Sequence, residues 1–182
     1  GKSLYFVRRN RKTATSDIYV SYREDNGDWS NPYKLSSNIN TNGNEMAPFI
    51  HYDDMTLYFS SDTHDGMGGY DLFMSRRNER GEWGRPLNLG YPLNTEDDEI
   101  NLVVAPDAKS AYISSKRNDG YGAYDIYTFD LDERFRPQYV ENDAISDYDS
   151  ALNNDVSIVL KDINFDFDSA VLSDDSYVTI DV

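Results

Sequence analysis

The chain has 182 residues, of which 33 are acidic and 17 basic, for a net charge of −16 and no cysteine. That excess argues against nucleic acid as a partner, because neutralising phosphates needs basic clusters, and the absent thiols rule out disulfides and cysteine nucleophiles. The length suits one ordinary domain or a little more, and 15 tyrosines suit strands better than a helical bundle.

Taken from the start, Ser3 to Val7 reads as a strand, and its pattern returns downstream at a spacing of about 54 residues, the mark of a repeat array. Leu4, Leu57 and Ala111 align, each followed by a tyrosine (Tyr5, Tyr58, Tyr112). Asp17, Asp71 and Asp125 each open an aspartate-aliphatic-aromatic run, and Trp29, Trp83 and Phe135 align after them, ahead of Pro32, Pro86 and Pro137. The connector repeats as well, with Asn40-Thr41 over Asn94-Thr95 and Glu45 over Glu99. In the middle copy the expected strands are 46–51, 56–60, 70–75 and 86–89, with turns at Asp53-Asp54, Asp65 to Gly69 and Asn78 to Gly81. Four antiparallel strands make a small sheet, and Leu57-Tyr58-Phe59 and Leu72-Phe73-Met74 give it large apolar residues on both faces. Such a sheet needs a neighbour on each side. Radial stacking of like sheets, the β-propeller arrangement, meets that need; a β-sandwich would leave one face of each strand polar. The expectation is an all-β fold of about two and a half blades over 1–140, with Tyr58, Phe59, Leu72 and Phe73 buried between sheets.

The first copy differs in the loop before its aspartate, where Arg8, Arg9, Arg11 and Lys12 cluster. Exposed charge is by default a solvated loop tip; the alternative is a dock for an acidic partner or a phosphate. In the second and third copies the corresponding loops carry Gly66, Gly68, Gly69, Gly120 and Gly122. Phosphate cradling lacks a following helix, calcium binding lacks the alternating ligand spacing, and the spacing of a sialidase-type Asp-box is not matched. The reading adopted is that these glycines supply positive φ for a tight turn while Asp71 and Asp125 bond local backbone. His51 and His64 are the only imidazoles, and neither lies in a catalytic motif. No catalytic residue, cofactor or metal ligand is therefore assigned.

Beyond residue 129 the composition shifts. Residues 1–129 hold 19 acidic and 14 basic side chains, and 130–182 hold 14 and 3, which marks a boundary near Asp130. Residues 141–156 read as an acidic, mobile linker. At the end, Ser173 is a good N-cap, Asp174 and Asp175 suit the positive end of a helix dipole, and Tyr177, Ile180 and Val182 begin an apolar stripe. The sequence reads as cut at both ends, since the first strand of the first copy and the rest of the last helix are missing from it. No apolar run approaches membrane-spanning length, and no signal peptide is recognised.

Together, LYFSSD, GMGGYDLF and LNTEDDE resemble the PD40 or TolB-like propeller repeats of outer-membrane-associated Bacteroidetes proteins, over residues 1 to about 140. Residues 158–175, with Phe165-Asp166-Phe167-Asp168-Ser169, resemble the opening of an OmpA-like peptidoglycan-binding domain of α+β type, which places its first strand and helix in 157–182. The combination is similar to the PorE-type subunit associated with type IX secretion, although that family generally carries a small β-sandwich between the two parts where this chain has about twenty residues. The resemblance implies a non-enzymatic scaffold on the periplasmic face of the outer membrane. Its propeller would meet an outer-membrane β-barrel of PorP or SprF type, with Arg8, Arg9, Arg11 and Lys12 as candidate contacts, and its OmpA-like domain would bind peptidoglycan. The aspartate and arginine that grip peptidoglycan in that domain come after the first helix, and no residue here corresponds to them. The other function class open to such a fold is a glycan-binding or glycan-cleaving propeller.

Overall fold

The structure, a computed structural model, describes residues 2–116 and 122–137, all within the unit Gly1–Tyr139. The expected linker at 141–156 and the OmpA-like segment at 157–182, with Phe165 to Ser169 and Ser173, lie outside the described residues, as does Gly120. Three antiparallel sheets follow one another along the chain. The first holds β1 (Ser3–Arg9), β2 (Ser16–Tyr22) and β3 (Tyr33–Lys34), and the second holds β4 (Glu45–Ile50), β5 (Thr56–Ser61), β6 (Asp71–Arg76) and β7 (Leu87–Asn88). The third holds β8 (Glu99–Val104), β9 (Ser110–Ser115) and β10 (Asp125–Asp130), after which Glu133–Phe135 make a 3-10 turn. Among the described residues there is no α-helix, in line with the all-β expectation, and the middle strands fall within a residue or two of their expected bounds.

The turns show why the strands begin where they do. Asp53 accepts from the backbone N–H groups of Met55 and Thr56 at 2.9 Å and from the Thr56 hydroxyl at 2.6 Å. Asp107 does the same one repeat later for Lys109, Ser110 and the Ser110 hydroxyl. These short carboxylates close a turn by replacing backbone partners. On the next hairpin Gly81, at φ 80°, donates to Asn78 O at 2.9 Å, a left-handed position that glycine adopts without a Cβ penalty.

Side-chain alternation then decides the packing. On β5 and β6, Leu57, Phe59 and Phe73 join Tyr5, Ile18, Val20, Leu35 and Trp83 in one apolar cluster, while Tyr58, Leu72 and Met74 join Leu102, Val104, Ala111, Ile113 and Phe135 in another. Period-two side chains thus bury both faces of the second sheet, each against a different neighbour. Tyr58, Phe59, Leu72 and Phe73 are all buried, as expected, each by about 2 kcal/mol of transfer free energy. A central sheet covered on both faces is not the two-layer arrangement of a sandwich. Contact between sheets concentrates at their first strands: β4 lies against β1 and β2, and β8 against β4, β5 and β6.

Each passage from one sheet to the next is held by the same polar side chains. Asn40 accepts from Ile18 N at 2.7 Å and donates to Ile18 O at 2.9 Å and Leu35 O at 3.0 Å, so its amide extends the ladder where β3 has ended. Asn94 repeats this on Leu72, at 2.8 and 2.9 Å. Five residues on, the fully buried Glu45 accepts from Thr41 N at 2.9 Å, the Thr41 hydroxyl at 2.6 Å and the Ser61 hydroxyl at 3.1 Å. Glu99, equally buried, accepts from Thr95 N, the Thr95 hydroxyl and the Ser115 hydroxyl at 2.9, 2.7 and 2.7 Å. Removing such a carboxylate leaves three donors, one buried and two half-buried, without their acceptor. Glu99→Ala is therefore expected to lower unfolding free energy by about 3 kcal/mol, measured by urea denaturation; a loss below about 1 kcal/mol would show that the passage is held by something else.

Candidate functional site

Antiparallel strands send alternate connections to opposite ends of the stack. One end gathers the β1–β2 hairpin (10–15), the β5–β6 loop (62–70) and the two inter-sheet passages (35–44 and 89–98), and hydrogen bonds tie the 62–70 loop to the strand ends and passages around it. His64 Nε2 lies 2.9 Å from Ile39 O, Asn88 Nδ2 donates to Asp65 O at 3.0 Å, and Asp62 accepts from Asn44 N at 2.7 Å and Asn44 Nδ2 at 2.6 Å. These loops present exposed polar and charged side chains, and connecting loops are where binding residues concentrate.

The four basic residues expected as a contact are placed here. Arg8 and Arg9 end β1, and Arg11 and Lys12 occupy the tip of the hairpin; all four are exposed. The tip is shaped by Asn10, whose N–H donates to Thr15 O at 2.7 Å and whose side chain accepts from Lys12 N at 3.0 Å. Ala14 takes a left-handed φ of 62°. Arg8 lies over the Tyr19 ring with its guanidinium carbon 5.1 Å from the centroid, a cation–π contact that fixes its direction. Asp17, opposite Arg8 in the ladder, pairs instead with Lys34 Nζ at 2.8 Å. The structure therefore brings Arg8, Arg9, Arg11 and Lys12 onto one hairpin.

The neighbouring loop has the opposite sign. Asp62 and Asp65 are exposed, with Glu96 exposed and Asp97 and Asp98 half-buried on the adjoining passage. Partial burial pushes the Asp62 carboxyl up, but hydrogen bonds from Asn44 and Thr63 outweigh it and hold the group below its ordinary range. Burial, with the charges of Asp62, Asp98 and Glu45, raises the Tyr70 phenol. Among the described residues no set of three or more histidines and carboxylates converges as a metal site.

The glycine reading is half corrected. Asp71 does bond local backbone, accepting from Met67 N at 2.9 Å and Gly68 N at 3.0 Å, and Asp125 accepts from Gly122 N at 3.0 Å. Yet none of Gly66, Gly68, Gly69 and Gly122 lies in the left-handed region. Close approach is the constraint instead: a Cβ on Gly66 would sit 2.0 Å from Asp71 Oδ2, one on Gly68 2.0 Å from Asp97 O, and one on Gly69 2.3 Å from Asp98 Oδ1. The loop turns under a passage that follows it by some 28 residues, so spacing within the loop carried no sign of it.

Two groups have roles that sequence left unassigned. Arg76 donates to Arg134 O at 3.0 Å and Arg136 O at 2.7 Å, and the Tyr58 hydroxyl donates to Phe135 O at 2.5 Å. They clamp the 3-10 turn onto the second sheet. A groove of about 890 Å³ opens between the edge strand of the first sheet, with the start of the passage that follows it, and the 78–84 hairpin, lined by Tyr22, Tyr33, Asn38, Asn78, Glu82 and Trp83. Tyr22 and Tyr33 lie 6.3 Å apart between ring centroids.

The arrangement can recognise a surface of mixed charge through exposed loops. The buried carboxylates Glu45 and Glu99 are engaged by hydroxyl and amide donors, which assigns them to the fold. No protein-family model matches this sequence, and no curated protein matches it. Gly68 and Gly122 occupy the same repeat position, but the nearest atom to a Cβ on Gly122 is 3.6 Å away. Gly68→Ala is accordingly expected to cost about 1–3 kcal/mol through overpacking and Gly122→Ala less than about 0.5 kcal/mol, compared by urea denaturation; equal losses would refute close approach as the constraint.

Proposed function

We propose that the chain is a non-enzymatic scaffold whose sheets are blades of a β-propeller. In this reading the loop end holds a protein partner at the periplasmic face of the outer membrane. The supporting observation is the stack itself: a sheet buried on both faces by sheets of its own repeat, touching through first strands, is what radial blades require. Such a stack offers partners its loop ends, and here that surface carries the exposed basic hairpin beside acidic loops. By the resemblance of the repeats, the partner is an outer-membrane β-barrel of PorP or SprF type. By the resemblance of 157–182, an OmpA-like domain ties the assembly to peptidoglycan. The fold alone does not assign this role; a contact through Arg8, Arg9, Arg11 and Lys12 does have a direct test.

Glycan binding is a second reading, favoured by the groove beside the first sheet's edge strand, because the exposed rings of Tyr22 and Tyr33, facing Asn78 and Glu82 across it, offer stacking faces with hydrogen-bond partners. It is checked by titrating the chain with soluble peptidoglycan fragments and neutral oligosaccharides and following tryptophan fluorescence. Quenching lost in Tyr33→Ala would support it, and no response at millimolar sugar would remove it.

For the scaffold, the full-length protein is captured after gentle detergent extraction of native outer membranes. A β-barrel is expected to accompany it, and reversing Arg8, Arg9 and Arg11 to glutamate is expected to reduce that recovery by roughly tenfold, about 1.4 kcal/mol. Capture without any barrel, or recovery indifferent to the reversal, would rule out this contact.

A further inference from the structure

The two junctions between sheets follow one plan, but only the second is clamped. There Arg76, at the end of β6, donates to Arg134 O and Arg136 O, and the Tyr58 hydroxyl donates to Phe135 O. A guanidinium and a phenol thus hold the turn of one repeat against the sheet before it. In the first junction Tyr22 stands in the place of Arg76, and Tyr5 in that of Tyr58. The Trp83 carbonyl, counterpart of that of Phe135, accepts instead from Asn38 Nδ2 at 2.7 Å. The Tyr5 hydroxyl, on a side chain only 9% exposed, has no hydrogen-bond partner among the described residues. The 78–84 hairpin lacks the clamp, and the groove opens at this place.

Both walls of the groove belong to described sheets. Tyr22 follows Ile18 and Val20 on alternate residues of β2, and Tyr33 lies opposite Val20 in the ladder, so both rings stand on the face that the first sheet turns to the second. They remain 41% and 58% exposed there, with planes inclined at 47°. Across from them Glu82 is exposed, one carboxylate oxygen accepting from Asn78 Nδ2 at 2.9 Å. The cations on the walls are already committed, Lys34 Nζ to Asp17 at 2.8 Å and the Arg76 guanidinium to the 134–136 backbone. Two aromatic faces and a carboxylate are what the groove offers, and together they suit a positive charge. We propose that it receives an arginine side chain on an extended segment of a protein partner, the guanidinium lying against Tyr22 and Tyr33 and paired with Glu82.

The second junction supplies the argument for that occupant, because a guanidinium already fills the corresponding place there. By the repeat, the carbonyls of Glu82 and Gly84 correspond to those of Arg134 and Arg136, which Arg76 binds. Arginine suits the groove better than lysine, since a planar fork stacks on a ring while donating to two acceptors. A neutral sugar would meet the rings but not the charge. The inference goes beyond the loop-end contact, needs neither a barrel nor the cell wall, and gives the groove a different occupant from the glycan reading.

The test is an NMR titration of the isotope-labelled 182-residue chain with an acetylated and amidated Gly-Ser-Arg-Ser-Gly peptide, taken to about 10 mM so that a weak complex is populated. Saturable shifts are expected at the amides of Tyr33, Glu82 and Gly84. The citrulline peptide, alike in shape but uncharged, gives none, and Glu82→Gln weakens binding roughly fivefold. Tyr33→Ala, on an exposed side chain, removes the shifts while the rest of the spectrum stays that of the folded chain. Tyr22→Arg supplies the clamp from within: it raises the urea midpoint and abolishes peptide binding, because its own guanidinium takes the site. Arginine and citrulline peptides that shift these amides alike, or that both leave them unmoved, overturn the proposal. So does peptide binding that survives Tyr22→Arg in a folded chain. Neutral oligosaccharide moving the same amides where the arginine peptide does not overturns it in favour of glycan.

Discussion

Sheets with two apolar faces cannot stand alone in water, and this constraint governs the molecule. Each repeat places apolar and aromatic residues in succession on its second strand, Leu-Tyr-Phe in the first two copies and Ala-Tyr-Ile in the third, so alternation turns side chains to both sides. Leaving either side solvated forfeits about 25 cal/mol for every Å² of apolar surface. The second sheet satisfies both faces with sheets of its own kind, Leu57, Phe59 and Phe73 toward one and Tyr58, Leu72 and Met74 toward the other. Stacking follows from strand composition, and the loops are left to face outward.

Stacking by apolar contact alone is tolerant of sliding, and polar groups remove that freedom. Asn40 and Asn94 take over ladder positions with both the donor and the acceptor of their amides, so a shift by one residue would break a matched pair. Glu45 and Glu99 bind back to Thr41 and Thr95 and across to Ser61 and Ser115. A buried carboxylate unsatisfied by partners would be costly; here three short bonds surround each one. Directly after each glutamate the register shifts, between Met46 and Phe49 in β4 and between Glu99 and Asn101 in β8. In β4 the irregularity contains Ala47, at φ 46°, and Pro48, which lacks the N–H that a ladder would use. A bulge at that point re-aims the strand as it enters the next sheet.

What could be read from sequence was what depends on near neighbours. The strands of the middle copy, the Asp53 turn and the glycine at 81 rest on alternation and on turn chemistry within a few residues, and the burial of Tyr58, Phe59, Leu72 and Phe73 rests on the repeat. The purpose of Gly66, Gly68 and Gly69 was hidden because it involves Asp71 and the passage at 97–98. The pairing of Asn94 with Leu72 spans 22 residues, and the reach of Arg76 to the 134–136 backbone spans about 60. Neither leaves a local pattern. The basic hairpin was legible as a cluster, whereas its place beside acidic loops followed from strand order.

The repeat also separates residues that build the fold from residues free to serve recognition. Positions that recur with the same role, Asn40 with Asn94, Glu45 with Glu99 and Asp53 with Asp107, are engaged by donors in each copy. Positions that do not recur lie outside those sets. The first hairpin has arginine and lysine where the second loop has glycine and aspartate, and its Asp17 pairs with Lys34 instead of with loop backbone. The first hairpin does without the glycines that close approach imposes on its counterpart, and charged side chains occupy its tip. Difference between copies, on elements whose equivalents are tightly constrained, is therefore the sequence feature that points most directly at the loop end.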